Sequence, residues 1–222
     1  MLRTVISIAL FFLLTGSSHA QESPISLRMW TELEPMVQEN QDYPLSTEEA
    51  QRRALEEARG ILSGMVYGYR FRYTPADRVR KIEEEFVLTQ VAEIRWGDPN
   101  LQVADAYVKD SLLFVKVNYN LEDFQVARRR AWSSNSVETG SGVGSYSVFT
   151  ATSPVGKQRA LEEALKNAVR EALRPVVFNK PREIRGEILI WREPHTIIRS
   201  GSYTTQADVK LRVKEIRSYS LF

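Results

Sequence analysis

No cysteine occurs anywhere in the 222 residues. Disulfides are therefore excluded, and the fold has to be held by its core. The same absence excludes the acylated cysteine of bacterial lipoproteins and every thiolate metal site. Histidine is nearly as scarce, with only His19 and His195. One imidazole downstream of the N-terminus is poor material for a metal centre or a nucleophilic triad, so neither cofactor nor metal is expected. Net charge is also lacking, since 30 basic residues face 28 acidic ones. Nothing global attracts nucleic acid. Long apolar runs are missing too. The longest, Val5 to Leu14, is about half of the ~20 residues a membrane-spanning helix needs. At most peripheral membrane contact is expected.

What is present begins with Arg3, that short apolar run, and the small residues Ser18 and Ala20 before Gln21. This is the order of a cleavable signal peptide over residues 1–20, and it implies export to the periplasm. Removing it leaves about 200 residues, enough for one generous domain with a real interior.

A repeated hexapeptide organises the remaining chain. Arg-Ala-Leu-Glu-Glu-Ala stands at Arg53 to Ala58 and again at Arg159 to Ala164, each time inside a segment of helical periodicity. In the first copy Ala50, Ala54, Ala58, Ile61 and Met65 share one face, and Ser46 with Glu49 forms a capping box. In the second, Ser153 is the expected cap, Pro154 occupies the first turn and Pro175 ends the helix. Each helix leads on to a Trp-x-x-Pro motif, Trp96 to Pro99 and Trp191 to Pro194, and then to a β-rich run. Those runs are Leu113 to Leu121 and Val209 to Ile216, with alternating apolar positions.

The reading is an α+β fold of two helix-plus-antiparallel-β units sharing one core, related by internal duplication. The first unit spans residues 46–132 and the second 154–222, with an N-terminal arm over 21–45. Between the units, residues 133–153 are rich in Ser, Gly and Thr around Gly140, Gly142 and Gly144, and they predict a mobile loop or an exposed hairpin. Thr74-Pro75 predicts a short helical turn through Val79 and Ile82.

No catalytic pattern emerges. Glu83, Glu84 and Glu85 are consecutive, so they point to different faces and read as a solvated patch. The glycines of 140–144 are not followed by Gly-Lys-Ser or Gly-Lys-Thr, so they form no phosphate loop. His195 falls in a turn and reads as structural or solvated. Two features suit partner contact instead. Arg128, Arg129 and Arg130, followed by Trp132, form the one local basic cluster. Tyr67, Tyr69, Phe71 and Tyr73 alternate with Arg70 and Arg72 in a strip that either packs a helix or recruits a partner.

The alanine-rich helix Arg159 to Leu173, followed by Ile184 to Trp191 and Val209 to Ile216, resembles the N-terminal domain of flagellar assembly protein T and related envelope lipoproteins. The resemblance covers about sixty residues, rests on pattern alone, and departs from the lipoproteins in having no acylated cysteine. It implies a noncatalytic module that docks to envelope or flagellar proteins, and it carries no site residues across. The expected function is thus a periplasmic scaffold acting through protein contacts, a homo-oligomer among its forms. The alternatives are a binder of a small ligand held between the units and, behind it, a hydrolase that uses no histidine.

Overall fold

The computed structural model describes residues 24–38, 43–175 and 180–219. The signal peptide read in residues 1–20 lies outside them. The elements in chain order are β1 (Ile25–Glu32), α1 (Thr47–Val66), β2 (Tyr69–Thr74), β3 (Glu85–Gln90), β4 (Leu101–Lys109), β5 (Leu112–Tyr119), α2 (Asp123–Trp132), β6 (Glu138–Ser147), α3 (Ser153–Leu173), β7 (Glu183–Ile190), β8 (His195–Arg199) and β9 (Ser202–Arg217).

Helix α1 starts where its capping box places it, with Ser46 Oγ accepting the Glu49 amide at 3.2 Å. Its alanine face, Ala50, Ala54 and Ala58, is fully buried. Helix α3 begins one residue earlier than expected. Thr152 takes the cap position, Pro154 lies in the first turn, and Ser153 becomes a buried helical residue.

All strand pairs are antiparallel, which makes the fold α+β. A small sheet has the order β1-β5-β4, and a larger one the order β3-β2-β7-β9-β6 with β8 also beside β9. The element order recurs: β1, α1, β2 and the β4–β5 hairpin are matched by β6, α3, β7 and the β8–β9 hairpin. In both sets the first strand lies beside the last. The sets are interlocked, because β2 pairs with β7 inside the larger sheet, and residues of both contribute to one main core.

The buried alternation expected in β5 is present at Leu113, Val115, Val117 and Tyr119. In β9 it holds for Val209 and Leu211, but Ile216 is exposed. On β2, Phe71 and Tyr73 turn inward while Arg72 reaches out to Glu85 at 3.0 Å.

Three expectations need correction. The arm assigned to 21–45 contains β1, whose Leu27 and Met29 are buried beneath α1 and whose whole length pairs with β5. The loop assigned to 133–153 contains β6, a ten-residue strand paired with β9. Its glycines serve close packing. A Cβ on Gly140, Gly142 or Gly144 would lie 2.2–2.3 Å from the carbonyl oxygen of Ala168, Ala164 or Ala160, so α3 rests directly on the strand backbone. Finally, no helical turn forms around Val79. The chain instead bends between paired Asp77 and Ile82, with Asp77 accepting the Val79 and Arg80 amides.

Candidate functional site

The arginine cluster forms the last turns of α2, and two of its members are occupied by the protein's own backbone. Helix α1 has no basic residue in its last turn, so its terminal carbonyls need outside donors. Arg129 donates to the Met65 carbonyl, and Arg128 donates to that of Tyr67 at 2.7 Å. Arg129 also stacks on Trp191, its guanidinium 5.2 Å from the ring centre. Trp132 is buried against Val137 and Leu189. Tyr67 and Tyr69 are half-buried, and the Tyr67 hydroxyl accepts from Gln125 at 2.8 Å. The group expected to meet a partner thus mostly knits α2 onto α1, and Arg130 is the exposed member of its arginines. The glutamate run is likewise not simply solvated. Glu84 accepts from the Tyr73 hydroxyl at 2.9 Å and pairs with Lys166 at 3.2 Å, tying the start of β3 to α3. His195 is exposed at the start of β8, and no metal-holding cluster occurs among the described residues.

A cleft of about 650 Å³ runs between α1 and α3. Ile61, Tyr69, Leu88, Leu161 and Leu165 give it an apolar side, and Arg52, Arg53, Glu56 and Glu162 stand among its polar residues. At one end Lys157, 3% exposed, meets Glu57 at 2.5 Å and the Trp30 carbonyl at 2.6 Å, with its ammonium 4.5 Å from the Trp30 ring centre. Burial pushes the Glu57 carboxyl above its ordinary range, against the pull of Lys157. Burial also pushes the Tyr69 hydroxyl up to about 12. Nearby, the Tyr203 hydroxyl donates to Glu32 at 2.6 Å, and burial first and that carboxylate second raise its pKa.

Ser153 stands one helical turn before Lys157, a spacing that brings a serine–lysine pair to mind. The lysine ammonium is committed to Glu57 and Trp30, however, and Ser153 is buried beside the Tyr203 hydroxyl. What this cleft offers chemically is a neutralised ion pair and mixed walls that suit enclosure of a small molecule.

The small sheet presents the other surface. Helix α1 covers β1 and β5 but not β4, whose residues beyond Leu101 are exposed on both faces. Val103, Tyr107 and Val108 are 36%, 54% and 51% exposed. The Tyr107 ring stacks on Phe114 of β5 with centroids 5.2 Å apart. One side of β4 pairs with β5, and its other side pairs with no strand among the described residues. Sequence reasoning passes over this segment, because apolar and polar residues in β4 do not alternate cleanly.

A protein-family model matches residues 13–219. A protein of Treponema pallidum (strain Nichols), described as an uncharacterized protein, is similar over 209 residues at 22% identity, covering 94% of this chain and 87% of its own length. No solved structure matches the chain.

Proposed function

The chain belongs to the family whose model spans residues 13–219, and from its own geometry we propose that it is a noncatalytic contact module of the bacterial envelope, exported by the signal segment at its N-terminus. The observation that carries this reading is β4, an edge with no strand partner on its outer side among the described residues and with Val103, Tyr107 and Val108 in solvent. Exposed edges are normally kept short, charged or covered; β4 carries charge at Asp105 and Lys109 but also leaves three large apolar side chains in solvent, which marks a docking surface. The envelope location rests on the signal pattern, and a flagellar-assembly setting rests on the resemblance carried by α3, β7 and β9.

A photo-crosslinking residue at Val108 tests the reading in cells. It should trap discrete species heavier than the monomer, while the same residue at Glu48, exposed on α1, should not. A monomer alone from Val108, in cells where the chain is exported, would sink it.

A second reading is favoured by the cleft between α1 and α3. Its volume falls within the roughly 300–1,000 Å³ typical of small-molecule sites. Native mass spectrometry of the chain purified from its host checks this. A reproducible adduct lost in a Leu88→Trp variant supports ligand binding, and an unadorned mass spectrum counts against it.

A further inference from the structure

We propose that the partner β4 meets is a second copy of β4, paired antiparallel about a two-fold axis through Tyr107, so that the two small sheets fuse into one of six strands. The inference rests on the contact-module reading and names its partner.

The backbone comes first. The turn Asp110–Ser111 joins β4 to β5, and both residues have positive φ, 51° and 58°. This is the two-residue turn that makes its flanking residues, Lys109 and Leu112, a hydrogen-bonded pair. Hydrogen-bonded and non-hydrogen-bonded pairs alternate along an antiparallel ladder. Tyr107 therefore turns its backbone groups to β5, while Ala106 and Val108 turn theirs to the open edge. In the dimer Ala106 of one copy exchanges hydrogen bonds with Val108 of the other. Tyr107 faces its own symmetry mate as a close, non-hydrogen-bonded pair. The irregularity between Val103 and Asp105 confines regular pairing to the stretch from Asp105 onward.

The side chains then select this register. Asp105, Tyr107 and Lys109 share one face, at alternate positions. An axis through Tyr107 sets Asp105 of each copy opposite Lys109 of the other, which gives two equivalent ion pairs. Neither side chain has an ion pair or a hydrogen bond among the described residues, although Lys116 of β5 stands opposite Asp105 in the register. On the opposite face Ala106 and Val108 meet each other's counterparts, covering part of the apolar surface that α1 leaves open. Moving the axis by one residue sets Asp105 opposite Tyr107 or Ser111 and loses the charge match, so the sequence of β4 is self-complementary in one alignment only.

The absence of cysteine makes the test direct. Tyr107→Cys introduces the one thiol in the chain, at a position where two copies face each other within disulfide reach. Mild oxidation of the purified full chain should give a covalent dimer on a nonreducing gel, while Glu48→Cys, exposed on α1, should stay monomeric. Sedimentation provides the second arm. Asp105→Lys alone should weaken self-association by about tenfold or more, since two attractive pairs become repulsive. Combining it with Lys109→Asp should restore association.

No disulfide from Tyr107→Cys, or a double variant no better than the single one, would overturn the inference. A chain that is monomeric throughout but yields a different envelope protein from a photo-crosslinker at Val108 overturns the inference and leaves the contact reading standing. Silence from both probes removes both. Circular dichroism of each variant confirms that the fold is intact.

Discussion

The two helix–strand contacts of this molecule are built from opposite materials. Under α1 lie Leu27 and Met29 of β1, side chains that fill the space between helix and sheet. Under α3 lie Gly140, Gly142 and Gly144 of β6, and the helix backbone fills that space itself. Both helices present an alanine row to their strand, Ala50, Ala54 and Ala58 in one and Ala160, Ala164 and Ala168 in the other. The difference lies on the strand side. The lesson is that one small-residue helix face serves either a conventional core or a near contact of backbones, and the strand decides which. Where the two contacts meet, Lys157 of α3 reaches Glu57 of α1 and the Trp30 carbonyl of β1, joining one to the other.

The largest disturbance to this arrangement should come from that joint. Lys157→Met leaves Glu57 without its cation and is expected to cost about 3–5 kcal/mol at neutral pH. The pH dependence has a definite sign. Because the folded pKa of Glu57 lies above its ordinary 4.5, the carboxyl's stabilising share is present below about pH 4.5 and lost as pH rises through the folded value. The variant raises that value further, so urea unfolding should show the deficit shrinking as pH falls from 7 toward 5. A deficit that does not change with pH would contradict a buried, uncompensated carboxylate.

Leu27→Ala, at a site 1% exposed, should cost about 3 kcal/mol by opening a cavity under α1. Gly142→Ala should cost about 2 kcal/mol for the reverse reason, since the added methyl has no room under α3. Denaturant melts of the pair read the comparison directly. Shrinking a side chain harms β1, whereas enlarging one harms β6, and a neutral Gly142→Ala would break the contrast. The smallest effect belongs to the surface of α1. Hydrogen bonds from Arg52 and Arg53 lower the Glu49 pKa to about 2. Its contribution is present above about pH 4.5 and lost as pH falls through about 2. A carboxyl titration by NMR that returns an ordinary value would remove those arginine contacts from the account.

Legibility in the sequence obeys the same contrast. Helix α1 and strand β5 bury apolar side chains at regular intervals, and a buried side chain leaves a letter to read. Strand β6 buries a face that has no side chains, so its signal reads as a loop. The trace it does leave is a glycine at every second residue, facing a helix with an alanine at every fourth. Helix α2 escapes sequence reading for a related reason. Its arginines answer the end carbonyls of α1, and a carbonyl has no letter of its own. The Glu57–Lys157 pair joins residues a hundred positions apart, which no local pattern reveals. Strand β4 stays hidden because neither of its faces is buried, so burial never imposed an alternation on it.

The seat of α3 also sets a length scale. Two residues along an antiparallel strand advance about 6.8 Å, and four residues along a helix advance about 6.0 Å. Gly140, Gly142 and Gly144 and the alanine carbonyls at 168, 164 and 160 therefore form two nearly commensurate rulers laid in opposite directions. The mismatch is about 0.8 Å per step, which two steps tolerate and many would not. The next mark on the helix, Gly156, meets a ring instead of a strand backbone. A Cβ there would lie 2.5 Å from the ring of Tyr203, so an aromatic stop on β9 closes the scale and fixes the helix against sliding along its own axis.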